Sequence, residues 1–115
     1  MEKKIINVFN IVGNSYCVDA NDGQKVFALI SKTFKENKNV ELSFQNIDMS
    51  TAAFLNSAIG QLYRDFDEME IVNRLIVVDM SEEDKNLLKR VISSAKIYYK
   101  NPEKMEQSIK EILAE

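Results

Sequence analysis

The stretch that most restricts how this chain folds is VELSFQNIDMSTAAFLNSAIGQLY, Val40 to Tyr63. It opens with Val40, Leu42 and Phe44 alternating with Glu41 and Ser43, the two-residue period of a strand. A polar turn follows, Gln45 to Asp48, with Ile47 its only large apolar member. Beyond it Phe54, Leu55, Ala58, Ile59, Leu62 and Phe66 recur at three- and four-residue spacing, as the buried stripe of a helix does. The junction, Met49-Ser50-Thr51-Ala52, sets two hydroxyls at the start of that helix. Unpaired N–H groups and the helix dipole favour negative charge there, including a phosphate on one of those hydroxyls. Capping alone also accounts for a hydroxyl at this place.

The rest of the chain continues the alternation. Periodicity and caps predict strands over 4–12, 15–19, 39–44 and 74–79, and helices over 21–36, 51–66, 82–98 and 102–113. Gly13-Asn14 is a turn signal that would join the first two strands as a hairpin. Asp19 or Asn21 can cap the first helix, whose stripe is Val26, Phe27, Ile30 and Phe34. Asp67 to Asn73 reads as a charged connector. Leu75 to Val78 is apolar at every position, as in a strand covered on both faces. Ser81 with Asp84 marks a capped start, and Asn101-Pro102-Glu103 a helix restart. An opening hairpin followed by strand–helix alternation implies an α/β fold, a small mixed sheet packed against helices, with an extra C-terminal helix.

At 115 residues the chain fits a single domain, 1–115. The net charge of −3 gives no electrostatic footprint for nucleic acid or an anionic membrane. No stretch approaches the roughly 20 apolar residues that cross a bilayer. The first residues read as a strand better than as a signal peptide. One cysteine, Cys17, forms no internal disulfide, so a cytoplasmic setting is the expectation.

Little here suggests catalysis. The chain has no histidine, hence neither the commonest general base nor the commonest transition-metal ligand. Cys17, between Tyr16 and Val18, reads as a small core residue rather than a nucleophile. Asp65, Asp67, Glu68 and Glu70 read as a solvated acidic turn rather than a cation site. The three glycines form no phosphate loop, and Gly60 inside a helix points to close approach of a neighbour. The expectation is a protein without catalytic residues, cofactor or bound metal.

Three blocks carry a resemblance: the Val-x-Leu-x-Phe strand and its Ser/Thr turn; Ala53-Phe54-Leu55-Asn56-Ser57-Ala58-Ile59-Gly60; and the strand Leu75 to Val78 with Asp79 to Glu83 and the helix Leu87 to Ile92. Together with the helix before them, they resemble the STAS-like family, a domain of unknown function related to anti-sigma factor antagonists, over roughly residues 16 to 98. The resemblance implies a small sheet with helices against it. The fuller STAS domain has a further strand after its third helix; Ile97 to Tyr99 would supply it, or else continue the helix. It also implies a regulatory, protein-binding role. Anti-sigma antagonists bind a histidine-kinase-like ATPase that acts as a serine kinase, and phosphorylation at the strand–helix turn weakens that complex.

The acceptor motif of those relatives, Asp-Ser-Ser/Thr-Gly, is not intact here. In one register Phe54 replaces the glycine and Ala52 and Ala53 the hydroxyls; shifted by two, Ser50 is the acceptor, after Met49 and Asp48. The candidate regulatory residues are therefore Ser50 and Thr51, and the candidate partner contacts Asp48, Met49 and Asn56. The alternative reading is a small-ligand or nucleotide-binding domain that uses the helix N-terminus near Ser50 and Thr51.

Overall fold

The alternation of Val40 and Leu42 with Asn39, Glu41 and Ser43 is realised as a strand at the centre of a parallel sheet. The computed structural model describes residues 2–100. In chain order the elements are β1 (Lys3–Asn7), α1 (Val8–Val12), β2 (Tyr16–Cys17), α2 (Ala20–Lys35), β3 (Asn39–Ser43) and β4 (Met49–Ser50). There follow α3 (Ala52–Leu55), a π-helical turn (Asn56–Gly60), α4 (Leu62–Asp65), α5 (Glu68–Arg74), β5 (Leu75–Val78) and α6 (Glu82–Lys100). One sheet has the order β1-β3-β5 and a second joins β2 to β4; every pair is parallel. The α/β class expected from the sequence is the class observed.

Register decides which face of the larger sheet is buried. Ile6, Leu42 and Val77 are cross-strand partners, and Ile6 and Leu42 lie in the core beneath the helices. Ile5, Glu41 and Ile76 line the opposite face, where Ile5 and Ile76 are 62% and 58% exposed and Lys3 pairs with Glu41 at 3.1 Å. The expectation that Leu75 to Val78 is covered on both faces is thus corrected. Among the described residues β5 is an edge strand and helices pack on one side only, so its unbroken apolar run includes residues that face outward.

The opening differs more. The strand expected over 4–12 stops at Asn7, and 8–12 are helical. Asn7 Oδ1 accepts from the Asn10 N–H at 3.2 Å, an N-cap. Gly13, at φ 73°, ends the turn in the left-handed conformation and donates to the Phe9 carbonyl. Gly13 therefore closes a helix rather than a hairpin, and β2, expected over 15–19, shortens to two residues paired with β4. Without the hairpin, no antiparallel pair makes the sheet mixed among the described residues.

Two further segments correct the reading. Asp67 to Asn73 is not a connector but most of α5, which buries only Ile71 and so leaves no apolar stripe to read. Arg74 anchors it, donating to the Phe34 carbonyl at 2.9 Å at the C-terminal end of α2. Ile97 to Tyr99 continue α6. The helix expected over 102–113 lies outside the described residues.

The helix expected over 51–66 forms but is not α-helical throughout. The Gln61 N–H donates to the Asn56 carbonyl five residues back, at 3.0 Å, and residues 57–60 are all buried. One side packs on α2, where a Cβ on Gly23 would come within 2.6 Å of the Phe54 carbonyl oxygen; Ser57 Oγ donates to the Ala20 carbonyl at 2.7 Å. The other side meets α6, where a Cβ on Gly60 would stand 3.7 Å from Val91 and Ala95. The neighbour that Gly60 implied is α6.

These contacts set different tolerances, measurable by chemical denaturation. Gly23→Ala drives a methyl into backbone and should cost about 1–3 kcal/mol. Gly60→Ala should be near neutral, because a gain in helix propensity of about 1 kcal/mol offsets a tight contact with the movable Asn56 side chain. Phe54 is fully buried, and Phe54→Ala should cost about 3–5 kcal/mol. Equal effects of the two glycine substitutions would contradict the close approach at Gly23.

Candidate functional site

The turn after β3 is pinned by backbone bonds to the segment preceding α2. Asp48 N–H donates to the Ser15 carbonyl at 2.8 Å and Thr51 N–H to the Cys17 carbonyl at 3.0 Å. The two junction hydroxyls then face different ways. Thr51 is the N-cap: its Oγ1 accepts from Phe54 N–H at 3.2 Å and donates to the Val18 carbonyl at 3.0 Å. Ser50 is 5% exposed, its N–H donates to Asp84 Oδ1 at 3.4 Å, and its Oγ has no hydrogen-bond partner among the described residues. A ligand on the N-terminus of α3 would compete with bonds that Thr51 already makes.

Asp84 comes from the start of α6. Its N–H donates to Ser81 Oγ at 3.2 Å, the cap expected from the sequence, but its carboxylate reaches across to β4 instead of back to Ser81. Only 7% of Asp84 is exposed. Cys17, fully buried, lies in the same polar centre. Burial chiefly, and then the Asp22 and Asp84 carboxylates, push its thiol from 9.0 to about 11, while the Ser50 hydroxyl offsets part of the rise. A thiol is a weak hydrogen-bonding group, so Cys17 satisfies Ser50 Oγ only weakly.

Above this centre the surface is apolar. Tyr16 and Met49 are cross-strand partners, 52% and 42% exposed, and Val18 beyond them is 51% exposed. A shallow depression opens beside them, lined by Met49, Ser50, Glu83, Asp84, Asn86, Leu87 and Arg90. Of the residues singled out from sequence, Met49 and Ser50 line it; Asp48, Thr51 and Asn56 do not. Asp48 and Asn56 are exposed, Asn56 within the π turn. Tyr16, Val18 and Asp84 were not singled out. The alternation around Cys17 was a signal for the first two, whereas nothing local marks an acid that contacts a strand 34 residues away.

The acidic stretch after α4 forms no comparable centre. Asp65 pairs with Arg64 at 2.9 Å, Glu68 with Lys96 at 2.7 Å, and Glu70 with Arg74 at 3.8 Å. Among the described residues no group of three or more His, Cys, Asp or Glu could hold a metal ion, and no helix is long and apolar enough to cross a membrane.

Small parallel sheets covered by helices, with a strand–turn–helix junction at the exposed end of the second sheet, define a small α/β domain of the STAS type. The family described as a STAS-like domain of unknown function (DUF4325) matches residues 22–85, more than half of the chain, and the chain belongs to that family. The match includes both Ser50 and Asp84; Tyr16, Cys17 and Val18 precede it. No curated protein and no solved structure gives a significant match.

The raised Cys17 thiol has a consequence at alkaline pH. Below 9.0 both folded and unfolded chains keep the proton; between there and about 11 the unfolded chain loses it first. The folded state then binds more protons, so stability falls as pH rises through this window. Urea unfolding should show a steeper loss from pH 9 to 11 in the wild type than in Cys17→Ala; parallel profiles would refute the shift.

Proposed function

We propose that this domain is a non-catalytic protein-interaction module that docks a protein partner through Tyr16, Val18 and Met49 and the adjoining strand–helix turn. The observation that carries this reading is the cluster of three exposed apolar side chains beside the turn that, in related anti-sigma factor antagonists, is the regulated site. Aromatic and methionine side chains are enriched in protein interfaces, and grouped apolar exposure is a mark of binding surfaces. By that relationship the partner is a histidine-kinase-like ATPase, and the setting is the cytoplasm.

Regulation by charge would work here by disruption. Ser50 is buried against Asp84, so a phosphate on it, carrying about −1.5 to −2 charge, requires β4 to leave the start of α6. Thr51 already caps α3, and an aspartate in its place caps as well. Ser50→Asp should destabilise by about 1–3 kcal/mol through an unpaired buried charge, whereas Thr51→Asp should stay within about 0.5 kcal/mol. Thermal unfolding of both variants measures this.

Docking itself is tested by affinity capture from the source cells with wild type and Met49→Arg. The substituted side chain is exposed, so its melting temperature should match the wild type. The reading expects one protein retained by the wild type and lost from Met49→Arg, then bound directly when purified. Retention of the same protein by both would remove this face from the interface.

A further inference from the structure

We infer that the depression beside Ser50 receives a cationic side chain, arginine or lysine, of the docking partner; this deepens the docking reading and rests on it. Its floor offers two poorly matched acceptors, and the side-chain donors on its lining, Asn86 and Arg90, make no hydrogen bond to either among the described residues. Asp84 is almost fully buried, and the only hydrogen bond to its carboxylate among the described residues is the long one from Ser50 N–H, 3.4 Å. An ionised carboxylate has about four acceptor sites, so most of this one's capacity is open. Ser50 lines the same depression, and its buried Oγ has no partner among the described residues stronger than the weak Cys17 thiol. A buried charge and a buried hydroxyl left so incomplete are unfavourable until a donor completes them.

The walls specify the donor further. Glu83 adds a second carboxylate, which favours a positive group over a neutral one. Met49 and Leu87 supply apolar surface for the aliphatic stem that lysine and arginine carry behind their charge. A divalent ion fits less well. The described residues assemble no group of three or more metal ligands, and the Arg90 guanidinium on the rim repels a doubly charged ion twice as strongly as a single charge. The mouth opens beside the exposed Tyr16–Met49 pair. A partner covering that pair would exclude water from the depression, where a charge-assisted hydrogen bond gains strength.

The test uses the full chain, labelled with nitrogen-15, and the probe peptide acetyl-Ala-Arg-Ala-amide. Matched peptides with Glu or norleucine at the centre, and Mg²⁺ alone, serve as comparisons at constant ionic strength. The arginine peptide should give saturable amide shifts centred on Ser50, Glu83 and Asp84, at a Kd on the order of 1–10 mM for one weak site. The glutamate and norleucine peptides should not. Asp84→Asn, whose amide oxygen can still accept from Ser50 N–H, should weaken binding about tenfold or more. Glu83→Gln, on an exposed wall, should weaken it by about twofold to threefold without affecting folding. Shifts spread over the surface, or equal shifts with the glutamate peptide, would overturn the inference. Mg²⁺ saturating the same amides and displacing the peptide would replace it with a metal site. Any of these results leaves the apolar docking face standing, since that face is judged by Met49→Arg alone.

Discussion

The structure hangs on the approach of α2 to the helical run that begins at Ala52. Gly23 lies so close to the Phe54 carbonyl that no side chain fits between them, and Ser57 Oγ closes on the Ala20 carbonyl. A contact of this kind has little slack, because backbone meets backbone rather than flexible side chains. It sets where α3 starts relative to the end of β2, and so lets Thr51 bond both its own helix and the Val18 carbonyl. The second sheet, two residues per strand, is too small to organise itself. It exists because the helices behind it are already placed.

What the sequence made legible was what repeats. The stripes on α2, on the central run and on α6 were readable because a buried face several turns long imposes its period on the chain. Phe54 and Ile59 were expected in the core and are there, at 0% and 1% exposure. Short elements carry no such record. α1 and α5 are five and seven residues long and bury one residue each, so caps and contacts from elsewhere decide them. β5 misled for another reason: an apolar run is the signature of a strand between two layers, and here one layer is missing among the described residues.

The candidate site divides along the same line. Its hydroxyls and its turn were visible as a local pattern, and Met49 and Ser50 both line the depression. The roles of those hydroxyls were not visible, because which one caps and which turns inward depends on β2 and α6. Three distant segments meet there: Cys17 from the β2–α2 junction, Ser50 from the β4–α3 junction and Asp84 from the β5–α6 junction. A centre built from three crossings is a property of the fold and has no local spelling. It also couples the docking face to the integrity of the whole domain, since β4 cannot shift without releasing Asp84.

The π turn between Asn56 and Gly60 changes how the two ends of the central run relate. A helix that accommodates one additional residue in a turn advances the following side chains by about 100° around its axis. Gln61 restores what the wider turn leaves open, donating from its side chain to the Ser57 carbonyl at 3.0 Å and to Gln24 at 2.7 Å. The segment after Gly60 thus presents a different face from the one its heading at Ala52 would dictate. Leu62 enters the core, and Phe66 reaches Phe34 edge to face at 5.2 Å. In effect the domain contains a phase shifter. A residue gained or lost in this turn would rotate the α4–α5 end against the turn that carries Ser50, altering one end of the molecule while the other keeps its geometry.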